Sequence, residues 1–532
     1  MHILIFLFHH LIMKKEIRQD LQEFENRRAY LKDENRPKAV EKRHRKGQRT
    51  ARENINDLCN EGSFQEIGSL VVAAQRGRKT EQELIEKTPA DGLITGIGEV
   101  NTEHFGKEKS KCYVMSYDYT VLAGTQGAFN HKKKDRMMSL AKKVKLPMIF
   151  FVEGGGGRPG DVDFDLITNG GLDIKTWSEF AKLSGKIPRI AIVSGYCFAG
   201  NAVIAGASDV IIATENISLG MGGPAMIEGG GLGSFHPKEI GPAKVQTENG
   251  VVDILVKDEA EAVIIAKKYL SYFQGNLSNW TCVNQEILRA LIPENRKFAY
   301  NVSKIINALC DENSVLELRP NFARNMVTVL ARIEGRSIAL IANSTKHLGG
   351  AIDSDASDKA ARFMQLCDSF GLPIISLCDT PGFMVGPQYE KTAMVRHTAR
   401  MFLVAASLQI PMITVVLRKA YGLGAMAMAG GSLSASYLTL SWQTGEFGGM
   451  GLEGAVKLGY KKELEAIENP AEREAFYNKL VAKAYHKGKA LNAASMLEFD
   501  EVIDPKDTRS RIVSALESYG ELSGTGRYID AW

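Results

Sequence analysis

LPMIFFVEGGGG, residues 146–157, decides the fold, because the chain repeats its pattern 226 positions later as LPIISLCDTPG at 372–382. A second pair of segments follows the first. IPRIAIV at 187–193 leads into GYCFAGNA, and IPMITVV at 410–416 leads into YGLGA. Each segment predicts a buried strand, a glycine turn and a helix. The repetition predicts two similar domains, and the paired turns predict two sites built from backbone amides.

Bulk properties agree with two ordinary globular domains. A chain of 532 residues exceeds what one hydrophobic core usually serves. A net charge of +4 favours neither a nucleic-acid partner nor a membrane partner. Seven scattered cysteines, odd in number and without a C-x-x-C pair, favour a reducing compartment, and we expect a cytoplasmic protein.

The N-terminal residues separate into two stretches. Residues 2–13 are apolar but shorter than the ~20 residues that span a bilayer, and they lack secretory features; an upstream over-extension that leaves Met13 as the true start is an alternative. Residues 1–55 are predicted to be an arm that is densely charged from residue 14. Its basic run 42–46 indicates either a nucleic-acid patch or a solvated arm packing on a neighbour, and the interleaved acids favour the second.

Short apolar strands alternate with helical stretches in both remaining parts, which predicts an α/β fold. We expect an N-terminal domain over 56–290 and a C-terminal domain over 291–532, with an irregular linker near 276–313. The predicted strands are 113–117, 148–152, 190–193, 210–214, 327–333, 337–342, 374–378, 412–416 and 437–440.

A glycine turn between a strand and a helix brings unpaired N–H groups close to a ligand. Such a turn binds a phosphate, holds an oxyanion, or only connects two elements. No Rossmann or Walker pattern surrounds these turns, and Pro159 and an acidic run follow the first one. The doubling favours the oxyanion reading over a plain connection.

Side-chain catalysts are scarce in the sequence. Ser194 lacks the flanking glycines of a nucleophile elbow, and His236, His347 and His397 are isolated. Glu153 and Asp379 end equivalent strands, where we expect them to stabilise the following turns rather than to titrate in catalysis.

Five further motifs carry a resemblance to a known family. They are GQRTARENI at 47–55, GSFQE at 62–66, RPNFARN at 319–325, DTPGFMVG at 379–386 and RKAYG at 418–422. Together with residues 353–361 they resemble the carboxyltransferase (β) subunit of biotin-dependent acyl-CoA carboxylases, of the propionyl-CoA and methylcrotonyl-CoA carboxylase type. The likeness runs from about residue 47 to about residue 505.

The resemblance implies two tandem crotonase-like (ClpP/crotonase) ββα-superhelix domains, assembled as a homohexamer in which the N-domain of one subunit faces the C-domain of another. It implies an acyl-CoA on the N-domain and carboxybiotin, carried by a separate protein, on the C-domain. It also implies biotin carboxylase and biotin carboxyl carrier partners, and no metal in this half-reaction. Carboxylate would pass from carboxybiotin to the α or vinylogous γ carbon of the thioester.

Carried over by position, the resemblance implies three sets of site residues. The oxyanion amides would be those of Gly200, Asn201, Gly424 and Ala425. The acyl-CoA would contact Gly154, Gly155, Gly156, Ala199 and Lys133. The biotin would contact Tyr421, Gly422, Leu423 and Ala427.

Several positions carry alternatives. Asn201 stands where relatives usually have glycine, so its side chain either narrows the thioester site or adds a donor. Small, apolar Ala427 favours a pocket that does not select a polar group. Lys132 to Lys134 either meet the CoA phosphates or form a solvated helix start, and the glycine-rich loop 220–233 is either a lid or a flexible connection.

Other functions remain open at this point. The same chemistry runs backwards in a biotin-dependent acyl-CoA decarboxylase. A non-catalytic acyl-CoA-binding scaffold is a second alternative, against which the intact turns argue. A crotonase-type hydratase or isomerase would need acidic side chains beside the first site and would have no use for the second copy.

Overall fold

The computed structural model describes residues 18–158, 160–163 and 172–532. The predicted apolar run 2–13 and its alternative start at Met13 lie outside the described residues. No helix in the described ranges has both the length and the apolar character needed to cross a membrane.

The first sheet has the order β1-β2-β3-β4-β5-β7-β9. Its first two pairings are antiparallel and the others are parallel. A small parallel pair, β6 with β8, lies beside it. The strands are β1 (Gln65–Glu66), β2 (Leu93–Glu99), β3 (Lys111–Tyr117), β4 (Met148–Phe151), β5 (Arg189–Val193), β6 (Tyr196–Phe198), β7 (Val210–Thr214), β8 (Ser218–Gly220) and β9 (Ile254–Val256).

The second sheet repeats this arrangement, with the order β10-β11-β12-β13-β14-β15-β17 and β16 paired to the end of β14. Again the first two pairings are antiparallel and the others parallel. Its strands are β10 (Leu316–Leu318), β11 (Met326–Ile333), β12 (Arg336–Asn343), β13 (Ile374–Thr380), β14 (Met412–Tyr421), β15 (Leu438–Trp442), β16 (Glu446–Gly448) and β17 (Glu501–Ile503). The predicted α/β repeat is confirmed, and 210–214 is observed with its predicted bounds.

Helices cover the sheets and connect their strands. In the N-terminal part they are α1 (Gln19–Ala29), α2 (Pro37–His44), α3 (Ala51–Leu58), α4 (Glu81–Lys87), α5 (Thr102–Ser110), α6 (Ala128–Val144), α7 (Thr176–Ala181), α8 (Gly200–Gly206), α9 (Pro224–Gly229), α10 (Ala243–Glu248) and α11 (Glu259–Ser271). In the C-terminal part they are α12 (Val302–Leu309), α13 (Ser354–Phe370), α14 (Pro387–Glu390), α15 (Met394–Ser407), α16 (Gly422–Met428), α17 (Leu452–Gly459), α18 (Lys461–Glu465), α19 (Pro470–Lys487), α20 (Ala490–Ala494) and α21 (Thr508–Tyr519). Short 3-10 helices lie at Asp33–Asn35, Pro89–Gly92, Leu122–Gly124, Pro237–Glu239, Gln285–Ala290, Leu348–Gly350 and Pro505–Asp507.

Local sequence explains where several of these helices begin and end. Thr50 and Glu53 form a capping box that starts α3. Asp353 accepts a hydrogen bond from the Ala356 amide at the start of α13, and Gly371, at φ +73°, ends it. The central strands β4, β5, β7 and β13 are buried along their whole length, which is why they are mostly apolar and do not alternate with polar residues.

The two halves share buried structure. One apolar cluster runs from the first sheet through α11 and α13 into the second. Leu288 packs in the core of the second sheet, although 290 is the predicted end of the first domain. The helix α3 crosses the predicted end of the arm at residue 55 and packs in the core with Ala51, Ile55 and Leu58. The predicted domain boundaries stay predictions, and these contacts favour boundaries that lie earlier in the chain than residues 55 and 290.

The arm is not uniformly solvated. Helix α1 has no buried residue, as expected for an exposed charged helix. Arg43, in the middle of the basic run 42–46, is instead buried at 7% exposure, and its guanidinium donates to Glu153. The prediction of a solvated run is therefore wrong at this residue, because a buried carboxylate takes up its charge.

Candidate active site

The first glycine turn lies against the strand that leads into α8. The Gly154 amide donates to the Tyr196 carbonyl at 2.7 Å, and the Phe198 amide donates to the Gly154 carbonyl at 3.0 Å. On the other side, the Gln126 amide donates to the Gly156 carbonyl at 2.7 Å. The turn is therefore held by backbone hydrogen bonds along both edges.

Helix α8 begins at the end of this strand. Ala199 caps it with φ +52°, a conformation that turns the chain sharply and is uncommon outside glycine. The amides of Gly200 and Asn201 stand in the first turn of the helix, where N–H groups have no partner within the helix. A Cβ at Gly200 would lie 2.9 Å from both Gln126 Oε1 and Trp177 Cζ2, so only glycine fits beside these two side chains. The predicted residues Gly154, Gly156, Ala199 and Gly200 are thus brought together.

Asn201 is completely buried and packs under the turn. Its Oδ1 accepts a hydrogen bond of 3.1 Å from Gln126 Nε2, and its Nδ2 is buried without a partner among the described residues. A Cβ at Gly154 would lie 2.4 Å from that Nδ2. The side chain therefore packs against the turn, and the expectation that it narrows the site or adds a donor stays a prediction.

The second glycine turn has the same connections. The Ile352 amide donates to the Gly382 carbonyl at 3.1 Å, as Gln126 does to Gly156. Gly422 has φ +57° at the start of α16, close to the value at Ala199. A Cβ at Gly424 would lie 2.7 Å from Gly382 Cα, so the helix start and the turn approach each other through glycines.

The structure matches the residues of the two helix starts differently from the prediction, by one position. Ala199 and Gly422 share their unusual φ, and each follows a strand that pairs in parallel with a second short strand. The counterparts of Gly200 and Asn201 are therefore Leu423 and Gly424. The predicted pair Gly424 and Ala425 is corrected accordingly, because Ala425 lies one residue further into the helix.

A buried carboxylate precedes each turn. Glu153 accepts hydrogen bonds from both Nη groups of Arg43, at 2.9 and 2.8 Å. Asp379 accepts hydrogen bonds from Tyr300 Oη at 2.8 Å, from Arg418 Nε at 3.1 Å and from the Lys419 amide at 3.1 Å. Burial and the charge of Asp379 raise the pKa of Tyr300, so its phenol stays a donor. These contacts support the expectation that both carboxylates stabilise turns.

Burial also shifts the pKa of Glu153. Desolvation raises it to about 7, and Glu259 and Asp118 add to the rise while Arg43 opposes it. The Arg43 pKa is raised by the same carboxylates. Glu153 is thus a buried carboxyl that binds its proton more tightly than a free glutamate, although one arginine holds it.

Two predicted contact residues are corrected. The Lys133 side chain is buried, and its Nζ donates to the carbonyls of Ala90 and Leu93, so it does not reach CoA phosphates and is not solvated. Ala427 is fully buried on the core side of α16, so its methyl group does not line a pocket. In both cases the helix turns the side chain inwards.

The remaining predicted biotin-side residues divide by exposure. Leu423 is 63% exposed, and Tyr421 is buried with its Oη donating to Glu446 at 2.9 Å.

Loop 220–233 contains α9 and exposes Met221, Met226 and Leu232, and its role as lid or connection stays open. Within the described ranges, no group of three or more His, Cys, Asp or Glu side chains is placed to hold a metal ion.

Sequence reasoning missed four residues that shape the site. Gln126 and Trp177 flank Gly200 from distant parts of the chain, and no local pattern marks them. Arg43 lies in a run that resembled a charged surface. Arg418 opens the motif RKAYG, which was recognised only as part of a resemblance.

The comparisons with known proteins agree with this geometry. The family model for the carboxyl transferase domain matches residues 42–523, and the chain belongs to that family. The resemblance is confirmed, and the chain is a carboxyltransferase of the type found as a subunit of acyl-CoA carboxylases.

Three curated relatives are similar over nearly their whole length. The methylmalonyl-CoA carboxyltransferase 12S subunit of Propionibacterium freudenreichii subsp. shermanii is 34% identical over 491 residues, 90% of each chain. The propionyl-CoA carboxylase beta chain of Roseobacter denitrificans is 30% identical over 94% of this chain and 96% of its own. The methylmalonyl-CoA decarboxylase subunit alpha of Veillonella parvula is 30% identical over 90% of this chain and 91% of its own.

Two solved structures are similar in fold. A single-chain, multi-domain long-chain acyl-CoA carboxylase is 54% identical, with a TM-score of 0.89, over 94% of this chain; the chain spans about half of that protein, 49%. The transcarboxylase 12S hexamer, with methylmalonyl-coenzyme A bound, has a TM-score of 0.83 at 32% identity and covers 96% of this chain and 97% of its own. The two crotonase-like domains expected from the resemblance are confirmed.

Proposed function

We propose that the chain transfers a carboxyl group between carboxybiotin on a separate carrier protein and the α (or vinylogous γ) carbon of an acyl-CoA, through two oxyanion sites. The observation that carries this proposal is the duplicated unit of buried strand, glycine turn and helix start. One unit serves one oxyanion, and this reaction has two, on the thioester and on the ureido group of biotin.

Each half has a defined role in the proposal. The amides of Gly200 and Asn201 donate to the thioester oxygen, beside the turn of Gly154, Gly155 and Gly156. The amides of Leu423 and Gly424 donate to the ureido oxygen. Measured donors of this kind contribute ~2.7–4 kcal/mol to a transition state. These amides are positioned before the reaction begins, so they need no rearrangement as charge develops.

Two features of the second helix start support its assignment to a ureido oxygen. Gly424 leaves the helix start free of a side chain, and the exposed Leu423 side chain points away from the core. Carboxybiotin supplies the carboxyl group and, once that group has left, the base for the α-proton. The chain's own part is to orient the two substrates and to hold negative oxygen with backbone amides.

Similarity suggests the substrate class and the partners. The 54% identity to a long-chain acyl-CoA carboxylase over 94% of this chain supports a long-chain acyl-CoA as substrate. Biotin carboxylase and biotin carboxyl carrier components would complete the enzyme, in a cytoplasmic assembly built on a homohexamer like that of transcarboxylase 12S. No metal is expected to act in this half-reaction.

The test is carboxyl transfer from free carboxybiotin to a panel of acetyl-, propionyl-, butyryl-, methylcrotonyl- and long-chain acyl-CoAs. Turnover confined to long-chain acyl-CoA would establish the proposed substrate, and turnover with a short one would replace it. Acyl-CoA binding without transfer, even with carrier and carboxylase added, would refute catalysis and favour the scaffold.

A decarboxylase is the second candidate, since the Veillonella parvula relative is 30% identical. It predicts net transfer from a carboxylated acyl-CoA to free biotin. The same assay run with malonyl- and methylmalonyl-CoA measures that direction, and a carboxylase assembly should form carboxylated thioester when ATP and bicarbonate are supplied.

A further inference from the structure

We propose that Arg43, in the N-terminal arm, is a positioning residue for the acyl-CoA-side oxyanion site. It acts through Glu153, which it holds between the first glycine turn and the strand leading into α8. The inference rests on the proposed function, because it names what sets the geometry of one of the two sites.

The arginine is fixed at both ends of its guanidinium. Nη1 and Nη2 donate to the two oxygens of Glu153 at 2.9 and 2.8 Å, and Nε donates to the Arg49 carbonyl at 3.0 Å. Arg43 and Glu153 are each 7% exposed. A bidentate pair fixes the orientation of the carboxylate as well as its charge.

Glu153 in turn contacts both parts of the site. It directly precedes Gly154, whose backbone pairs with Tyr196 and Phe198. On its other side lies Gly195, at φ +78°, where a Cβ would be only 2.4 Å from Glu153 Oε1. The carboxylate therefore lies between the turn and the start of β6, the strand that precedes Ala199.

The surroundings make this carboxylate dependent on the arm. Glu259 lies 3.8 Å from Arg43 Nη2 and accepts Ser194 Oγ at 2.8 Å, next to Gly195. Asp118, the third acid near Glu153, pairs with Arg36, which is also in the arm. Without Arg43, the carboxylates of Glu153 and Glu259 would face each other with no cation between them.

The second site has no such dependence. Asp379 pairs with Arg418 from the adjacent strand β14 of its own sheet, and it also contacts Tyr300, the Lys419 amide and, at 3.1 Å, Lys419 Nζ. The two sites thus use the same device, a buried carboxylate held by arginine, but only the first receives the arginine from the arm. A change at Arg43 should therefore affect one site and leave the other intact.

The experiment compares full-length Arg43→Met with Arg45→Met, which removes an exposed arm pair with Glu41 that does not contact the turn. Hydrogen exchange of the backbone reads the two sites separately. We expect faster exchange in segments 154–157 and 196–201 of Arg43→Met only, with 380–386 and 419–425 unchanged. Transfer to acyl-CoA should fall by about 10²-fold in kcat, as when a distant change misplaces a catalytic group, while Arg45→Met keeps its kcat.

Two further variants separate position from charge. Arg43→Lys keeps the charge but not the bidentate fork, and should have an intermediate kcat. The double variant Arg43→Met/Glu153→Gln removes the unpaired charge; its melting temperature should recover while its kcat stays low. Full recovery of kcat in the double variant would overturn the proposal, as would equal loss of kcat in Arg45→Met.

The readouts also separate this inference from the proposed function. If the wild-type chain transfers no carboxyl group, the proposed function fails, yet exchange confined to the first site still supports the Arg43 contact as a positioning device. If the wild type is active and exchange in Arg43→Met rises equally in both sites or in neither, the positioning role is refuted.

Discussion

Gly424→Ala tests the second oxyanion site with the smallest possible change. Its Cβ would lie 2.7 Å from both Cα and C of Gly382 and 3.0 Å from the Phe383 amide nitrogen. All three atoms are backbone, so no side chain can swing aside and the helix start must move away from the turn. Loss of one well-placed donor costs ~2.7–4 kcal/mol, and we expect kcat to fall about 10²- to 10³-fold.

The assay is single-turnover transfer from free carboxybiotin, with acyl-CoA binding measured separately by calorimetry. Binding should be unchanged, because the first turn is untouched. Gly459→Ala is the matched control: its Cβ would have no neighbour within 4 Å, and kcat should be unaffected. A folded Gly424→Ala variant that keeps wild-type kcat would refute the assignment of this helix start to the ureido oxygen.

Three further predictions address burial and charge. In the folded chain the pKa of Glu153 is about 7, whereas an ordinary glutamate has a pKa of 4.5. The folded state therefore binds this proton more tightly, and the free energy of unfolding should fall as pH rises from 4.5 to 7, by up to ~1.4 kcal/mol per pH unit. Glu153→Gln should flatten that slope in urea unfolding, and an unchanged slope would assign the titration to another group. Lys133→Met should leave the KM for acyl-CoA unchanged, because the Nζ donates to two backbone carbonyls; a KM several-fold higher would restore the phosphate contact. Arg319→Met leaves Asp253 buried without its partner across the two halves and should cost ~3–5 kcal/mol in denaturant unfolding, whereas a neutral result would show that water reaches Asp253.

The repeat and the strands were predictable because their signals are local. The mostly apolar segments 148–152 and 374–378 are central parallel strands that are buried on both faces. Such a strand can be predicted from its sequence because apolar residues follow one another instead of alternating with polar ones. The glycines at 154 and 424 marked close backbone approaches, since a Cβ at either position would lie within 2.7 Å of another backbone atom.

Helix faces and distant partners were not predictable. The resemblance assigned Lys133 and Ala427 to ligands, but the rotation of each helix against its sheet turns them inwards. The one-residue shift from the pair Gly424 and Ala425 to the pair Leu423 and Gly424 depends on the strand pairing and on the φ values of Ala199 and Gly422, which the sequence does not contain.

The sequence by itself determined that the chain contains one strand–turn–helix unit twice, because strand burial and glycine turns depend on a few neighbouring residues. Only the tertiary structure decided which carboxylate is held by which arginine. Arg43 and Glu153 are 110 residues apart in the chain and meet because the arm packs across the first sheet, and nothing in the local pattern of either residue encodes that contact.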